Sequence, residues 1–190
     1  MGDAMRKNRK KTVGHLWLIA AVLIIAFMLG RYVALPRIFP RAYASYVEEY
    51  AAKYGLEEAL VYAVIFAESR ADEQALSHKN AMGLMQITGP TGAWGAEILE
   101  MEGFTIEDLF EPETNIHIGC WYLRQLLNQF GNETTALAAY NAGSGNVAKW
   151  LSDPAYSSDG VSLKAIPFAQ TEQYVKKVAL YKRVYRFLYE

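Results

Sequence analysis

Glu68 ends a nearly unbroken apolar run, residues 59–67, within the stretch VYAVIFAESRAD. An ionised carboxylate is costly to bury, and a buried one raises its pKa until it is neutral. Glu68 is therefore either a residue that escapes to solvent where its segment ends or a carboxylic acid kept in an apolar setting. If residues 56–69 are helical, the negative pole of the helix falls on Glu68 and opposes ionisation in the same sense as burial. A carboxyl held protonated near neutral pH is what general-acid catalysis requires. Two other clusters carry polar groups among small and apolar residues. In NAMGLMQITGPTG (80–92), glycines and Pro90 mark tight turns around Gln86, an amide that can orient a polar ligand or simply close a loop. In AAYNAGSGN (138–146), Tyr140 and Asn141 stand where a helix runs into glycines, and a glycine cap with a core-packed tyrosine is the plain alternative. His15, His78 and His117 lack ligand spacing, so neither a metal nor a cofactor is expected.

Helices must position these groups. YASYVEEYAAKYG (43–55) repeats apolar and aromatic residues with a helical period and stops at Gly55. Residues 56–69 predict a second helix, almost wholly apolar in its later half and so central to the core. A shorter helix is expected around 90–101. EPETNIHIGCWYLRQLLNQFG (111–131) is the clearest helix, with Pro112 in its first turn, Glu111 and Glu113 at its positive pole and Gly131 at its end. Its apolar face is expected at positions 116, 120, 123, 127 and 130. Asn132 suits the cap of the next helix, SGNVAKWL (144–151) reads as a short one, and residues 152–160 as loop. The terminal helix, TEQYVKKVALYKRVYRFLY, lines up Tyr174, Val178, Tyr181, Val184, Tyr185 and Leu188, while Lys176, Lys177, Lys182, Arg183 and Arg186 read as a solvated charged face. No segment alternates convincingly as a strand. The expected fold class is all-α. Cys120, the single cysteine, sits on the apolar side of its helix and reads as a buried, unreactive thiol.

Charge divides the chain. Residues 1–11 hold five basic residues against Asp3, whereas from residue 42 onward 11 Lys and Arg face 19 Asp and Glu, a net of −8. An acidic body argues against a nucleic-acid partner. VGHLWLIAAVLIIAFMLG (13–30) is apolar and long enough, with residues 31–35, to cross a bilayer. The basic residues before it place the N-terminus in the cytoplasm and the rest on the outer face. A cleaved signal peptide is the rival reading, with AYA (42–44) as its cleavage site, although that site lies far beyond the apolar run. The expected organisation is a basic cytoplasmic tail at 1–12, a transmembrane anchor at 13–35, a linker at 36–42 with two prolines, and a helical domain at 43–190.

The ordered set ES at 68–69, GLMQ at 83–86 and AYNAG at 139–143 resembles the lytic transglycosylases of the soluble-lytic-transglycosylase type, a family that shares its lysozyme-like helical fold with goose-type lysozyme. DLFEPETNIHIGCWYL and IPFAQTEQYV (166–175) resemble that family's later segments. The resemblance covers roughly residues 43–190. It implies that Glu68 is the sole catalytic acid and that Ser77 contacts the sugar near the reacting centre. Met85 and Gln86 would hold N-acetyl groups and hydroxyls, Tyr140 and Asn141 would line the groove beside the acid, and Tyr174 belongs to the closing motif. One departure stands out: relatives often carry Glu-Thr where this chain has Gln170–Thr171. The implied reaction uses one carboxyl. Glu68 protonates the oxygen between N-acetylmuramic acid and N-acetylglucosamine, then takes the proton of the muramic 6-hydroxyl as that oxygen closes a 1,6-anhydro ring. The implied partners are peptidoglycan glycan strands, the cytoplasmic membrane and cell-wall machinery. A lysozyme-like hydrolase and a catalytically silent glycan-binding scaffold remain as alternatives.

Overall fold

The computed structural model describes residues 17–190; the basic cluster expected at 1–12 lies outside them. The chain divides into two compact units, Met1–Pro40 and Arg41–Glu190. Among the described residues of the first, one helix, α1 (Trp17–Ile38), is 22 residues long with mean hydropathy 2.4. Its large apolar side chains, among them Trp17, Leu23, Ile24 and Phe27, are exposed. The helix continues through Pro36, so only the second half of the expected linker is non-helical. A five-residue π-turn at Gly30–Ala34 precedes the proline, and the Leu35 N–H donates to Gly30 O there. Such a change of hydrogen-bond register accommodates a residue with no N–H of its own.

The second unit is helical apart from one short hairpin. α2 (Ala44–Tyr54) ends at Gly55, whose φ of 60° supplies the left-handed turn, and the Arg124 guanidinium caps the free carbonyls of Tyr54 and Gly55. α3 (Glu58–Glu68) is buried from Ala59 to Phe66 on every side, as a helix apolar all round must be. β1 (Ala81–Met82) and β2 (Ile87–Thr88) pair antiparallel, Ala81 with Thr88 and Met82 with Ile87. This hairpin is too short to leave an alternating pattern, which is why the sequence does not announce it. α4 (Gly89–Ile98) begins earlier and ends sooner than expected. Gly89 and Pro90 open it rather than forming a separate turn, and Gly92 lies within it because the Leu109 side chain presses where a Cβ would stand.

α5 (Pro112–Phe130) carries the expected proline at its start and Gly131, φ 64°, at its end. Ile116, Cys120, Leu123 and Phe130 are buried as expected, but Leu126 takes the place assigned to Leu127. α6 (Glu133–Ala142) is capped by Asn132, which accepts from Thr135 N at 3.0 Å. α7 (Ser144–Leu151) and α8 (Ala169–Tyr189) complete the unit. α8 packs along α3, stacking Tyr185 on Tyr62 at 5.2 Å and setting Tyr181 edge-on to Phe66 at 5.0 Å. Three of its cations are not merely solvated: Lys182 bridges Glu57 (3.0 Å) and Glu133 (2.8 Å), Arg186 pairs with Glu57, and Lys176 pairs with Glu172 (2.6 Å).

Asn115, fully buried in the first turns of α5, ties the hairpin to the helices. Its Oδ1 accepts from Met85 N at 2.7 Å, and its Nδ2 donates to Met82 O at 2.9 Å and Leu109 O at 2.6 Å. Gly83 lets that side chain approach, since a Cβ there would collide with Leu109 O and Asn115 Nδ2 and its φ is +70°. Truncating Asn115 strands three buried backbone groups without partners. Asn115→Ala is expected to cost about 3–4 kcal/mol in urea denaturation; a loss below about 1 kcal/mol would mean that other contacts hold the hairpin.

Candidate active site

Glu68 is the last residue of α3, and the chain turns away sharply after it, with Arg70 and Ala71 both at positive φ (55° and 66°). Ser69 fixes that turn. Its Oγ donates to Leu84 O at 2.8 Å and accepts from Ala71 N at 3.1 Å, joining the end of α3 to the hairpin loop. The Glu68 carboxyl reaches a cleft of about 170 Å³, yet protein surrounds it closely, and burial raises its pKa to about 7. The buried Tyr174 hydroxyl offsets part of the rise. It acts as a neighbouring dipole, for its hydroxyl makes no hydrogen bond of good geometry.

The cleft gathers Glu68, Ser77, Gln86, Tyr140 and Asn141, five of the seven site residues expected from the sequence. Ser77 Oγ accepts from Ala81 N (3.0 Å) and Lys79 N (3.3 Å), which leaves its hydroxyl proton for a ligand. Gln86, at φ 50°, donates through Nε2 to Ala75 O (3.0 Å) and Gly83 O (3.1 Å), so its amide oxygen is the end offered to a ligand. The Tyr140 hydroxyl donates to Met85 O at 2.8 Å. Asn141 Oδ1 accepts from Thr171 Oγ1 at 2.9 Å, which turns its NH2 group to the cleft.

The other two stand behind this lining. Met85 is fully buried against Gly119, and its side chain does not reach the cleft; its contribution is the carbonyl that anchors Tyr140. Tyr174 backs the acid from α8. Sequence reasoning missed Ser69, Asn115 and Thr171 as supports and His78, Lys79 and Thr88 on the cleft wall. For Thr171 the readable signal is a polar residue one turn before Tyr174, at a position that the helical period turns inward. Gln170 does line the cleft. Cys120 is buried, and burial pushes its thiol up.

A larger pocket of about 400 Å³ lies elsewhere, between α2, α3 and α8. Its Arg41 already pairs with Glu48 (2.8 Å) and Glu58 (3.0 Å), so it offers no isolated acid. The smaller cleft is where a proton-bearing carboxyl, amides and hydroxyls converge.

The fold is a helical domain in which, among the described residues, one carboxyl lines the cleft and is tuned toward neutrality, as a candidate acid must be. The Transglycosylase SLT domain family model matches residues 45–160, and the chain belongs to that family. The chain is similar to the soluble lytic murein transglycosylase of Escherichia coli (strain K12), 36% identical over 152 residues, which are 78% of this chain and 24% of that protein. It is also similar to the membrane-bound lytic murein transglycosylase C of Mannheimia succiniciproducens, 31% identical over 170 residues, covering 77% of this chain and 47% of that protein. Among solved structures, the 70 kDa soluble lytic transglycosylase of Escherichia coli matches with TM-score 0.71 and 33% identity over 80% of this chain and 25% of its own. An inactive mutant of the Pseudomonas aeruginosa lytic transglycosylase Slt matches with TM-score 0.72 and 31% identity over 93% and 29%. The chain thus spans about a quarter of the length of the first curated relatives it matches. The all-α, lysozyme-like fold expected from the sequence is the fold found.

A raised carboxyl pKa makes stability depend on pH. The folded chain holds the Glu68 proton up to about pH 7, whereas the ordinary value is 4.5. The stabilising contribution of that proton is complete below pH 4.5 and is lost as pH rises to about 7. The loss is bounded at about 3 kcal/mol and is smaller where the carboxyl meets cleft water. Glu68→Gln is therefore expected to match the unmodified chain in unfolding free energy, measured by urea denaturation, at pH 4 and to exceed it by about 1–3 kcal/mol at pH 8. Equal stability at both pH values would contradict the shift.

Proposed function

We propose that this chain is a membrane-anchored peptidoglycan lytic transglycosylase. It cleaves the β-1,4 bond between N-acetylmuramic acid and N-acetylglucosamine and leaves 1,6-anhydro-N-acetylmuramic ends. The observation that carries this reading is the single carboxyl of the cleft: among the described residues, Glu68 is the one acid on its wall, and burial holds it near neutrality. Glycoside hydrolysis by the common routes needs a second carboxyl, about 5–5.5 Å away for retention or about 6.5–9.5 Å for inversion. A site with one carboxyl needs its nucleophile from the substrate.

Glu68 begins protonated and donates to the glycosidic oxygen as the bond to the anomeric carbon breaks. The muramic N-acetyl group supports the anomeric carbon from within the substrate. The Glu68 carboxylate then accepts the proton of the 6-hydroxyl while that oxygen bonds to the anomeric carbon. Atoms balance without water, and the acid returns to its starting state. An intramolecular hydroxyl held near its target has a high effective concentration. The Gln86 oxygen, the Asn141 amide and the Ser77 hydroxyl supply complementary partners for acetamido and hydroxyl groups.

The family match and the names of the relatives support the substrate class. The exposed apolar surface of α1 and the likeness to proteins named membrane-bound lytic murein transglycosylase C support anchoring. The basic residues at 6–11 favour a cytoplasmic N-terminus, with the domain at 43–190 on the outer face and cell-wall machinery as its partners.

The full chain, in a detergent without a sugar headgroup, is to be incubated with purified peptidoglycan in ¹⁸O-labelled water. Mass spectrometry is expected to find anhydromuramic ends free of ¹⁸O. The rate should decline as pH rises above about 7, and Glu68→Gln should reduce it by about 10²–10⁴-fold. Reducing ends carrying ¹⁸O would overturn the reading in favour of hydrolysis.

A further inference from the structure

α8 has two apolar faces. The inner one packs on α3, with Tyr174, Val178, Tyr185 and Leu188 buried. The outer one carries Leu180, 50% exposed, the half-buried Val184 and Phe187, 48% exposed. Each stands one turn from the next, so the three form a row along one side of the helix. Lys176, Lys177 and Arg183 are exposed on the same side and flank that row.

Most carboxylates near α8 are already engaged. Glu57 and Glu133 pair with Lys182, Glu57 also with Arg186, and Glu172 with Lys176. Among the described residues, neither Lys177 nor Arg183 forms an ion pair. They therefore present positive charge on a body whose net charge from residue 42 onward is −8. A helix face with an apolar row between cations matches the boundary of a bilayer with anionic headgroups. The apolar side chains enter the acyl boundary, and the cations meet the phosphates. A hydrated polyanion satisfies the cations alone and leaves Leu180 and Phe187 in water.

The position of this face points to the same partner. Only residues 39–43 separate α1 from α2, a connection that reaches about 20 Å at full extension. The last turn of α8 lies at the point where the chain enters the helical unit: the Arg41 guanidinium stands over the Tyr189 ring, 5.6 Å from its centroid. The outer row thus ends beside the short tether of the apolar helix.

We infer that the outer face of α8 docks on the anionic surface of the bilayer that holds α1, with Leu180 and Phe187 in the acyl boundary and Lys177 and Arg183 on the headgroups. That a bilayer holds α1 rests on the anchoring proposed above; the chemistry of the partner rests on the face itself.

The test reconstitutes the full chain into lipid nanodiscs with a fluorophore at Leu180→Cys; the buried Cys120 stays unlabelled. Nitroxide-bearing lipids are expected to quench that fluorophore strongly in discs rich in phosphatidylglycerol and weakly in discs of phosphatidylcholine alone. Adding Lys177→Glu and Arg183→Glu should lower the quenching in anionic discs by about three- to fivefold, and raised ionic strength should act in the same direction. A second preparation labelled at Leu23→Cys, in α1, reports the anchor separately. Quenching at Leu23 without quenching at Leu180 would overturn the docking face and leave the anchor. Quenching at Leu180 without quenching at Leu23 would support the face and sink the anchor. Equal quenching of the Leu180 label in neutral and anionic discs would overturn the role of the cations. A label that ignores anionic discs and responds to soluble poly(glycerol phosphate) would assign the face to a wall polymer and overturn the inference.

Discussion

A carboxylic acid that must keep its proton near neutral pH has to be short of water and still open to a ligand, and the unit beyond Pro40 is arranged around that conflict. α3 resolves it by being apolar on all sides and ending at the cleft wall, so that Glu68 inherits the dryness of the core at the point where the core stops. The negative pole of the helix reinforces the shift. α8 closes the far side: Tyr181 and Tyr185 pack on Phe66, and Tyr174 sits behind the carboxyl.

The opposite wall is held in place through backbone groups. Asn115 from α5, Ser69 from the end of α3 and Tyr140 from α6 each bond to a peptide group of the hairpin segment, at Met85, Leu84 and again Met85. Three helices therefore fix one short loop, and the loop presents Gln86 beside the acid. Tyr140 and Asn141 show how closely support and function are interleaved. Each spends one polar group on the protein, through Met85 or Thr171, and faces the cleft with the rest.

The sequence made the local features legible and concealed the distant ones. Helix ends such as Gly55, Pro112, Gly131 and Asn132 are set by neighbours within a turn, so their residue types suffice to place them. Glu68 was legible because an acid at the end of an apolar run is chemically anomalous. Asn115 was not, because its partners at positions 82 and 85 are some thirty residues away and an Asn in the first turn of a helix otherwise reads as a solvated end. The role of Met85 was misjudged for a related reason: GLMQ names the residues of the loop but not which of them turn inward, and the match of Met85 to Gly119 exists only in three dimensions. The hairpin is a product of docking rather than of strand propensity, so no period could reveal it.

These arrangements converge on one claim, that Glu68 is the proton-bearing group of a cleft with no other carboxyl on its described wall. A carbon-13 NMR titration of the chain labelled at glutamate side-chain carboxyls tests it most directly, with Glu68→Gln used to assign the resonance by its disappearance. The account predicts a midpoint near pH 7 for that resonance. A midpoint near the ordinary value of 4.5 would contradict it, because a carboxyl already ionised at neutral pH has no proton to give.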